Sequence, residues 1–219
     1  MKRFLLAIGF IIFSGALSNA YCQISEGKIT YDISYPESGL DEETLAMLPT
    51  ESNTVFKSDK MRIDMKMGMG MNNIILVDNA KKEVHLLMDM MGNKMDMLMT
   101  EKDIDKELKD EGEYTITKKE GTRQIAGYPC NKALIKTKDG KEFSVWYTKE
   151  IKVKNANWNN QFKSIDGFLM EFRLNQNGLT MEMTAREVSI EKVNDDVFNI
   201  PPGYKVMSKE DLKRMTEGK

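Results

Sequence analysis

The sequence predicts a mainly β protein of the α+β class, in which a single curved antiparallel sheet of about eleven strands forms an open half-barrel covered by short helices. Many segments alternate apolar and polar residues with a period of two, so that each strand has one apolar face and one polar face. The connections between these segments are short and rich in turn residues, as in an antiparallel meander. A sheet with one apolar face must curl on itself or be covered.

The first predicted strand is Lys28–Tyr35, in which every second residue is Ile or Tyr. Pro36 ends this strand, because proline has no amide hydrogen to donate to a ladder. Asp41 is then expected to cap a short helix whose first turn is acidic and which stops before Pro49. The chain therefore enters its sheet through one strand and one short helix.

A methionine-rich meander follows this helix, and the chain has 18 methionines in all. In its longest segment, methionine or isoleucine occupies every odd position, with polar residues or glycine between them. A turn is predicted at Met91-Gly92-Asn93, where the alternation is interrupted. The predicted strands of the meander are Thr54–Ser58, Met61–Met71, Ile74–Val77, Val84–Met90 and Lys94–Thr100.

Three local signals organise the second half of the chain. Thr100-Glu101-Lys102-Asp103 resembles a capping box and predicts a second helix through about Lys109. Asp139-Gly140 is the strongest short hairpin signal. A phase slip at Arg186-Glu187 predicts a β-bulge. The strands predicted here are centred on Tyr114–Ile116, Ala133–Thr137, Glu142–Thr148, Phe168–Leu174 and Leu179–Val193.

Two segments of this half are not predicted to be strands. The polar, asparagine-rich stretch 151–165 is expected to form a long surface loop. After the last long strand, Phe198–Tyr204 reads as an extended exit segment, and Ser208 is expected to cap a final helix over Lys209–Met215. No linker or repeat divides residues 21–219, which are therefore expected to form a single domain.

Residues 1–20 have the pattern of a cleaved signal peptide. Lys2 and Arg3 precede the apolar run Phe4–Leu17, which is too short for a membrane span and ends in small residues. The mature protein is therefore expected in the periplasm, at the cell envelope or secreted, without a transmembrane segment. Lipid anchoring at Cys22 is less favoured, because a tyrosine precedes it. Cys22 can also be a free thiol or form a disulfide with Cys130, and these two cysteines are the candidate pair.

Composition and motifs argue against several classes of function. The formal net charge is −2 and no basic block is present, so nucleic acid is not an expected partner. The chain has two cysteines and one histidine, too few for the usual zinc spacings. No catalytic triad or phosphate-binding loop is recognisable. We therefore predict a non-enzymatic protein with no cofactor and no catalytic residue.

The apolar face of the meander has three interpretations. It can be an ordinary core, a cavity for a lipid or another apolar ligand, or a site where thioethers hold Cu(I) or Ag(I). For the metal, the candidates are Met65, Met67, Met95 and Met97, which would have to meet across neighbouring strands. The cavity hypothesis is preferred, and its predicted lining is Met65, Met67, Met69, Met95, Met97, Met99, Met181 and Met183.

Three other side chains, His85, Trp146 and Trp158, are candidate contact residues. The strand parity of His85 puts it on the face opposite Leu86 and Met88, away from the predicted cavity. Trp146 and Trp158 are candidate contacts for an envelope protein partner, although Trp146 is preferred as a residue packed beneath the 151–165 loop.

Short motifs along most of residues 25–210 resemble the DUF4412 family of secreted Bacteroidetes proteins. They read GKITY at Gly27–Tyr31, IAGYPC at Ile125–Cys130 and FNIPPGYK at Phe198–Lys205, around the methionine-rich meander. That family is similar to the lipoprotein carrier LolA and its partner LolB. The resemblance implies a LolA-like unclosed barrel, whose covered apolar face would take a lipid or a lipoprotein acyl chain. The arginine that those carriers place in the cavity is not matched by Arg62, Arg123, Arg173 or Arg186.

Overall fold

The computed structural model describes residues 23–36, 38–112, 114–176 and 178–207. This part of the chain contains twelve strands in one sheet, together with two α-helices and two short 3₁₀ turns. The elements are β1 Glu26–Ser34, α1 Glu42–Met47, β2 Glu51–Lys57, β3 Lys60–Lys66, β4 Asn72–Asp78, β5 Glu83–Met90, β6 Asn93–Thr100, α2 Glu101–Glu111, β7 Thr115–Ile125, β8 Tyr128–Lys136, β9 Glu142–Thr148, β10 Phe168–Gln176, β11 Leu179–Ser189 and β12 Lys205–Val206.

The strands lie in the order β12-β6-β5-β4-β3-β2-β1-β11-β10-β9-β8-β7, and the sheet is not closed. All neighbours are antiparallel except β12, which pairs with β6 in parallel. This open, mainly antiparallel sheet confirms the predicted fold class. The twelfth strand is a two-residue piece of the C-terminal segment, just after the stretch predicted to be extended.

One face of the sheet, which we call the inner face, carries Met61, Ile63 and Met65 of β3. Ile63 lies opposite Thr54 in β2 and Ile75 in β4, so the register aligns the alternating residues of neighbouring strands on that face. The same alternation continues into β1, where Ile29 and Tyr31 are buried. Period two therefore controls which side chains face inward, as the sequence predicts.

The inner face is covered by α2 and by the connection between β9 and β10, residues 149–167. The expectation of a surface loop there was wrong, because this connection carries buried apolar side chains among its asparagines. Phe162 is fully buried, and Trp158 and Ile165 are also buried. Asn157 holds the turn together by donating hydrogen bonds to the carbonyls of Ile165 and Gly167, both at 2.9 Å.

The opposite face, the outer face, is crossed by residues 190–206, which we call the strap. Lys57 Nζ donates to the carbonyl of Val193 at 2.9 Å, and Arg62 Nη1 donates to the carbonyl of Val197 at 3.0 Å. The strap ends beside β6, where Lys205 lies opposite Met95. Leu87 lies on the outer face, because it alternates with the inner-face residues Leu86 and Met88 of β5, and it is fully buried there.

The predicted strand Met61–Met71 is interrupted. β3 ends at Lys66, and Gly68–Gly70 form a 3₁₀ turn before β4 begins. A Cβ on Gly68 would lie 2.9 Å from the carbonyl oxygen of Ala46 in α1, so the close approach of α1 requires glycine at this position. Alternation alone could not predict the break, because the odd positions remain apolar through the turn.

Several other local predictions are confirmed. Asp41 caps α1, and Thr100 and Asp103 form the capping box of α2. Met91 and Gly92 have positive φ in the turn between β5 and β6. The bulge is present at Arg186, which is skipped where Thr30 pairs with Glu187 and Tyr31 with Ala185.

The predictions for the two ends of the chain lie outside the described residues. They are the signal peptide at 1–20, the state of Cys22 and the helix after Ser208. Within the described part of the chain, no helix combines the length and the apolar character needed to span a membrane.

Candidate ligand-binding site

A cavity of about 400 Å³ lies between the inner face and its cover. Its floor is formed by residues of seven strands, β1 to β5, β10 and β11, and its roof by α2 and the 149–167 connection. The apolar side chains on the floor include Met61, Ile63, Met65, Ile75, Leu86, Met88, Phe172, Leu174, Met181 and Met183, and those of α2 are Ile104 and Leu108.

The structure brings only part of the predicted methionine set to this cavity. Met65, Met181 and Met183 line it. Met95 and Met99 are buried in side-chain packing, and Met97 packs partly buried against the cluster that contains Trp158. Met67 lies beyond the end of β3, and the side chain of Met69 is outside the described part of the structure.

Other lining residues were not predicted. Several of them lie on the inner face directly across from a predicted residue, on a neighbouring strand or the next one along. Met88 lies opposite Asn73, which lies opposite Met65. Met61 belongs to the same alternating set of β3. Their parity was visible in the sequence, but their grouping depends on register between strands. For the roof residue Ile104, the sequence indicated only that it belongs to the apolar side of the predicted second helix.

One side of the cavity is polar. Asn159, Asn160 and Gln161 of the roof and Asn175 at the end of β10 line it, together with Glu107 of α2. There the cavity adjoins a wider cleft of about 860 Å³, with which it shares Gln161, Leu174 and Asn175. The wider cleft is polar and of mixed charge, with Lys138, Asp139, Lys141 and Glu142 among its lining residues.

Tyr31 is a deeply buried side chain with a polar group at the floor. Its hydroxyl donates to the carbonyl of Leu169 at 2.8 Å, which links β1 to β10 across the sheet. Burial raises the pKa of Tyr31 far above its ordinary value, so the phenol is neutral at any physiological pH. Tyr31 is therefore a structural polar group in an apolar floor and offers no charge to a ligand.

His85 lies on the outer face, opposite Leu86 and Met88 in parity, as predicted. Its Nδ1 is 2.9 Å from Oδ1 of the buried Asp96, and both residues have outer-face parity, so this pair lies on the side of the sheet away from the cavity. Among the described residues, no group of three or more His, Cys, Asp or Glu side chains is placed to hold a metal ion. The pair therefore supplies neither an acid–base group nor a metal ligand to the cavity.

Cys130 is fully buried in the main core. Its Sγ lies 3.3 Å from the carbonyl of Tyr128, and burial raises the pKa of the thiol to about 11. Its proposed partner Cys22 is outside the described residues, so the disulfide stays a prediction.

The two tryptophans differ in environment. Trp158 belongs to the cover and is buried between it and the sheet, and its Nε1 donates to Oδ1 of Asn79 at 2.8 Å, so it is not an exposed contact residue. Trp146 is half-buried, and the guanidinium of Arg123 lies 4.3 Å from its ring centre. Arg62 lies on the outer face, where it pairs with Asp64 and touches the strap.

Comparisons with known proteins place the chain in a family and show its fold. The family model described as a domain of unknown function, DUF4412, matches residues 42–204. None of the curated proteins matches the chain. Two crystal structures of PNGF-II, in space groups P21 and C2, superpose with a TM-score of 0.53 at 14% and 15% identity. LprF from Mycobacterium bovis has a TM-score of 0.32 at 13% identity.

The coverage of these matches differs. Each PNGF-II match covers 87% of this chain but only 33% or 32% of the PNGF-II chain. The present chain thus spans about a third of the length of these first matches, and the likeness concerns the fold alone. The LprF match covers 79% of this chain and 93% of LprF.

Proposed function

The chain belongs to the DUF4412 family, a domain of unknown function, and we propose that it is a non-catalytic envelope protein that binds a lipid or an acyl chain. The observation that carries this proposal is the cavity of about 400 Å³ between the inner face and its cover. Its size falls in the range of about 300–1,000 Å³ that is typical of small-molecule sites. Met65, Met88, Met181 and Met183 give the wall a flexible apolar surface.

The polar side of the cavity supports an amphiphilic ligand. An apolar chain would lie along Ile63, Ile75 and Leu86, where contact with water is lost and binding is driven by the hydrophobic effect. Its polar end would reach Gln161 and Asn175, which belong to both the cavity and the wider cleft. Amide side chains both donate and accept hydrogen bonds, so they can hold a head group without a fixed charge.

The placement of acid–base groups supports a role in binding. The only histidine of the chain, His85, is on the outer face, and Tyr31 at the cavity floor is neutral and already donates its hydrogen bond. Glu107 of α2 is the carboxylic acid among the lining residues, and the rest of the wall offers shape, amide groups and apolar contact. A protein partner that delivers or receives the ligand is part of the same proposal.

The proposal is tested by titrating delipidated protein with a fluorescent fatty acid such as cis-parinaric acid. Ile63→Trp fills part of the cavity and is expected to weaken binding at least about tenfold, which equals about 1.4 kcal/mol. Leu98→Trp adds the same side chain to the half-exposed outer face of β6 and should leave binding unchanged. Thermal unfolding confirms that both variants are folded, and Met183→Trp repeats the test from β11.

Native mass spectrometry of protein purified without detergent provides an independent test. A bound mass that is removed by organic extraction supports the proposal. Protein that is ligand-free and also fails to bind the fluorescent fatty acid would overturn it, and the inner face would then serve only as core.

A further inference from the structure

Three methionines lie side by side at one edge of the sheet, where β3 and β5 end and β4 begins. Met67 and Met71 continue the β3–β4 ladder, because the amide of Met67 donates to the carbonyl of Met71 at 3.0 Å. The β4–β5 register pairs Asn72 with Asp89, which puts Met71 next to Met90 one residue further along. In directly opposed residues on neighbouring strands, the two Cβ atoms are about 4.5–5.5 Å apart.

All three side chains belong to the inner face. Met67 and Met71 have extended backbone angles, although they flank the 3₁₀ turn, so the alternation of β3 and β4 continues through them. Asn73 donates from Nδ2 to Sδ of Met67 at 3.1 Å, which fixes this sulfur on the same face as the cavity residue Asn73. Met90 follows Met88, another cavity residue, by two positions.

We propose that Met67, Met71 and Met90, which we call the methionine rim, form a binding site for a soft monovalent cation, Cu(I) or Ag(I). Thioether sulfur is a soft donor that prefers such ions to Mg²⁺, Ca²⁺ or Mn²⁺. A single strand cannot supply the site, because its same-face residues are about 6.6–6.8 Å apart. Three adjacent strands remove this obstacle, and the three rotatable bonds of each methionine let the sulfurs converge.

The exposure of the rim separates it from the core methionines. Met90 is 40% exposed and its neighbour Met91 is 84% exposed, whereas Met95 on the next strand is 2% exposed. Met67 and Met71 are half-buried. All three rim side chains are therefore partly exposed, and an ion can reach them from solvent.

The rim is also distinct from the cavity of the proposed function. None of its three methionines lines that cavity, although Met65 and Met88 of the adjacent row do. The two sites can therefore be separated by mutation. Loss of cation binding need not affect fatty acid binding.

The test is titration of the purified full chain with Ag(I), which binds as Cu(I) does without redox chemistry. The rim variant is M67L/M71L/M90L, which keeps most of the volume and removes the sulfur donors. The control variant is M95L/M97L/M99L, which removes three methionines of the same face from β6 alone. Circular dichroism and cis-parinaric acid binding are measured for both, so that misfolding is seen separately.

We expect the wild-type protein and the control to bind one Ag(I) per chain in native mass spectra. We expect the rim variant to bind at least about tenfold more weakly, since loss of even an outer partner of a metal ligand costs about 10–100-fold. In spectra of protein labelled with ¹³C at methionine methyl groups, Ag(I) should shift the rim signals. The proposal is overturned if the wild type takes up no Ag(I), or if the control loses binding as the rim variant does.

Discussion

Trp158 shows at the residue scale how the cover is held on the inner face. Its Nε1 donates to Oδ1 of Asn79, which is fully buried in the turn between β4 and β5. Trp158→Phe keeps an aromatic ring but leaves this oxygen without its donor. We expect the free energy of unfolding to fall by about 1–3 kcal/mol, measured by urea denaturation.

Trp146→Phe is the matched control for this change. Trp146 is half-buried, and its ring contacts the cations of Arg123 and Lys132. The ring of phenylalanine can still make these contacts. Its cost should stay below about 1 kcal/mol. Equal costs at the two positions would contradict the role given to the Trp158–Asn79 hydrogen bond.

Cys130 gives a prediction about pH. Burial raises the pKa of its thiol from 9.0 to about 11, so the folded protein holds this proton more tightly than the unfolded chain does. The resulting contribution to stability is complete below pH 9 and is lost as pH rises toward 11. The urea midpoint of the wild-type protein should therefore fall between pH 9 and pH 11. For Cys130→Ala, measured against its own midpoint at pH 8, the fall should be smaller. If the urea midpoints of both proteins fell equally with pH, the contribution assigned to Cys130 would be contradicted.

The same burial determines the reactivity of the thiol. At pH 8 the folded protein should react slowly with Ellman's reagent at Cys130, because only the thiolate attacks and it is both scarce and inaccessible. Reaction should become fast in denaturant.

At the scale of elements, the bulge of β11 gives a test of period two. Arg186 is the extra residue between Glu187, which pairs with Thr30, and Ala185, which pairs with Tyr31. Deleting Arg186 would leave one-to-one pairing and keep Met183 on the inner face. Its ion pairs with Asp32 and Glu51 are exposed and screened by solvent, so their loss should cost little. We expect a folded protein with modest loss of stability.

Deletion of Thr184, two residues away, should have a different outcome. It moves Met181 and Met183 to the outer face, because a shift of one residue reverses every side chain of a strand. We expect this variant to be insoluble or unfolded, as judged by expression and circular dichroism. Similar behaviour of the two deletions would show that the alternation does not control burial in β11.

Period two also explains how much of the fold could be predicted from sequence. It located the strands of the meander and the phase slip at Arg186, because alternation and its interruption are local properties of the chain. It could not show that Phe162 is buried, since the residues around it are polar and its burial depends on the sheet beneath it. It also missed the break after Lys66, which is set by contact with α1.

The sequence could predict which side chains lie on the inner face of the sheet, but not which part of that face forms the cavity. Met65 and Met99 have the same parity, but Met65 lines the cavity whereas Met99 is buried under α2 and Trp158. The difference depends on where the cover rests, and no single strand contains that information. Met71 and Met90 similarly become neighbours only through the register of β4 and β5.

At the scale of the whole molecule, Arg62 provides one of the contacts that hold the strap on the outer face. This side chain binds Asp64 through two nitrogens and also donates to Val197 of the strap. Arg62→Leu keeps the apolar stem and removes these bonds. We expect faster amide hydrogen exchange in residues 193–206, measured by mass spectrometry, with β3 to β5 unchanged.

Arg186→Leu is the control for this experiment, because Arg186 forms its ion pairs with Asp32 and Glu51 and not with the strap. It should leave exchange in residues 193–206 as in the wild type. Unchanged exchange in the Arg62 variant would mean that β12 and Lys57 hold the strap without it.

The strap crosses the outside of a curved sheet that has no closing seam. A path along the outside of an arc lengthens when the arc tightens and shortens when it relaxes. Because the strap is fixed at Val193, Val197 and Lys205, it becomes taut when the sheet curls further and slack when the sheet spreads. We therefore expect it to limit how far the sheet can curl around an empty cavity and to let the sheet widen around a larger ligand of the proposed kind.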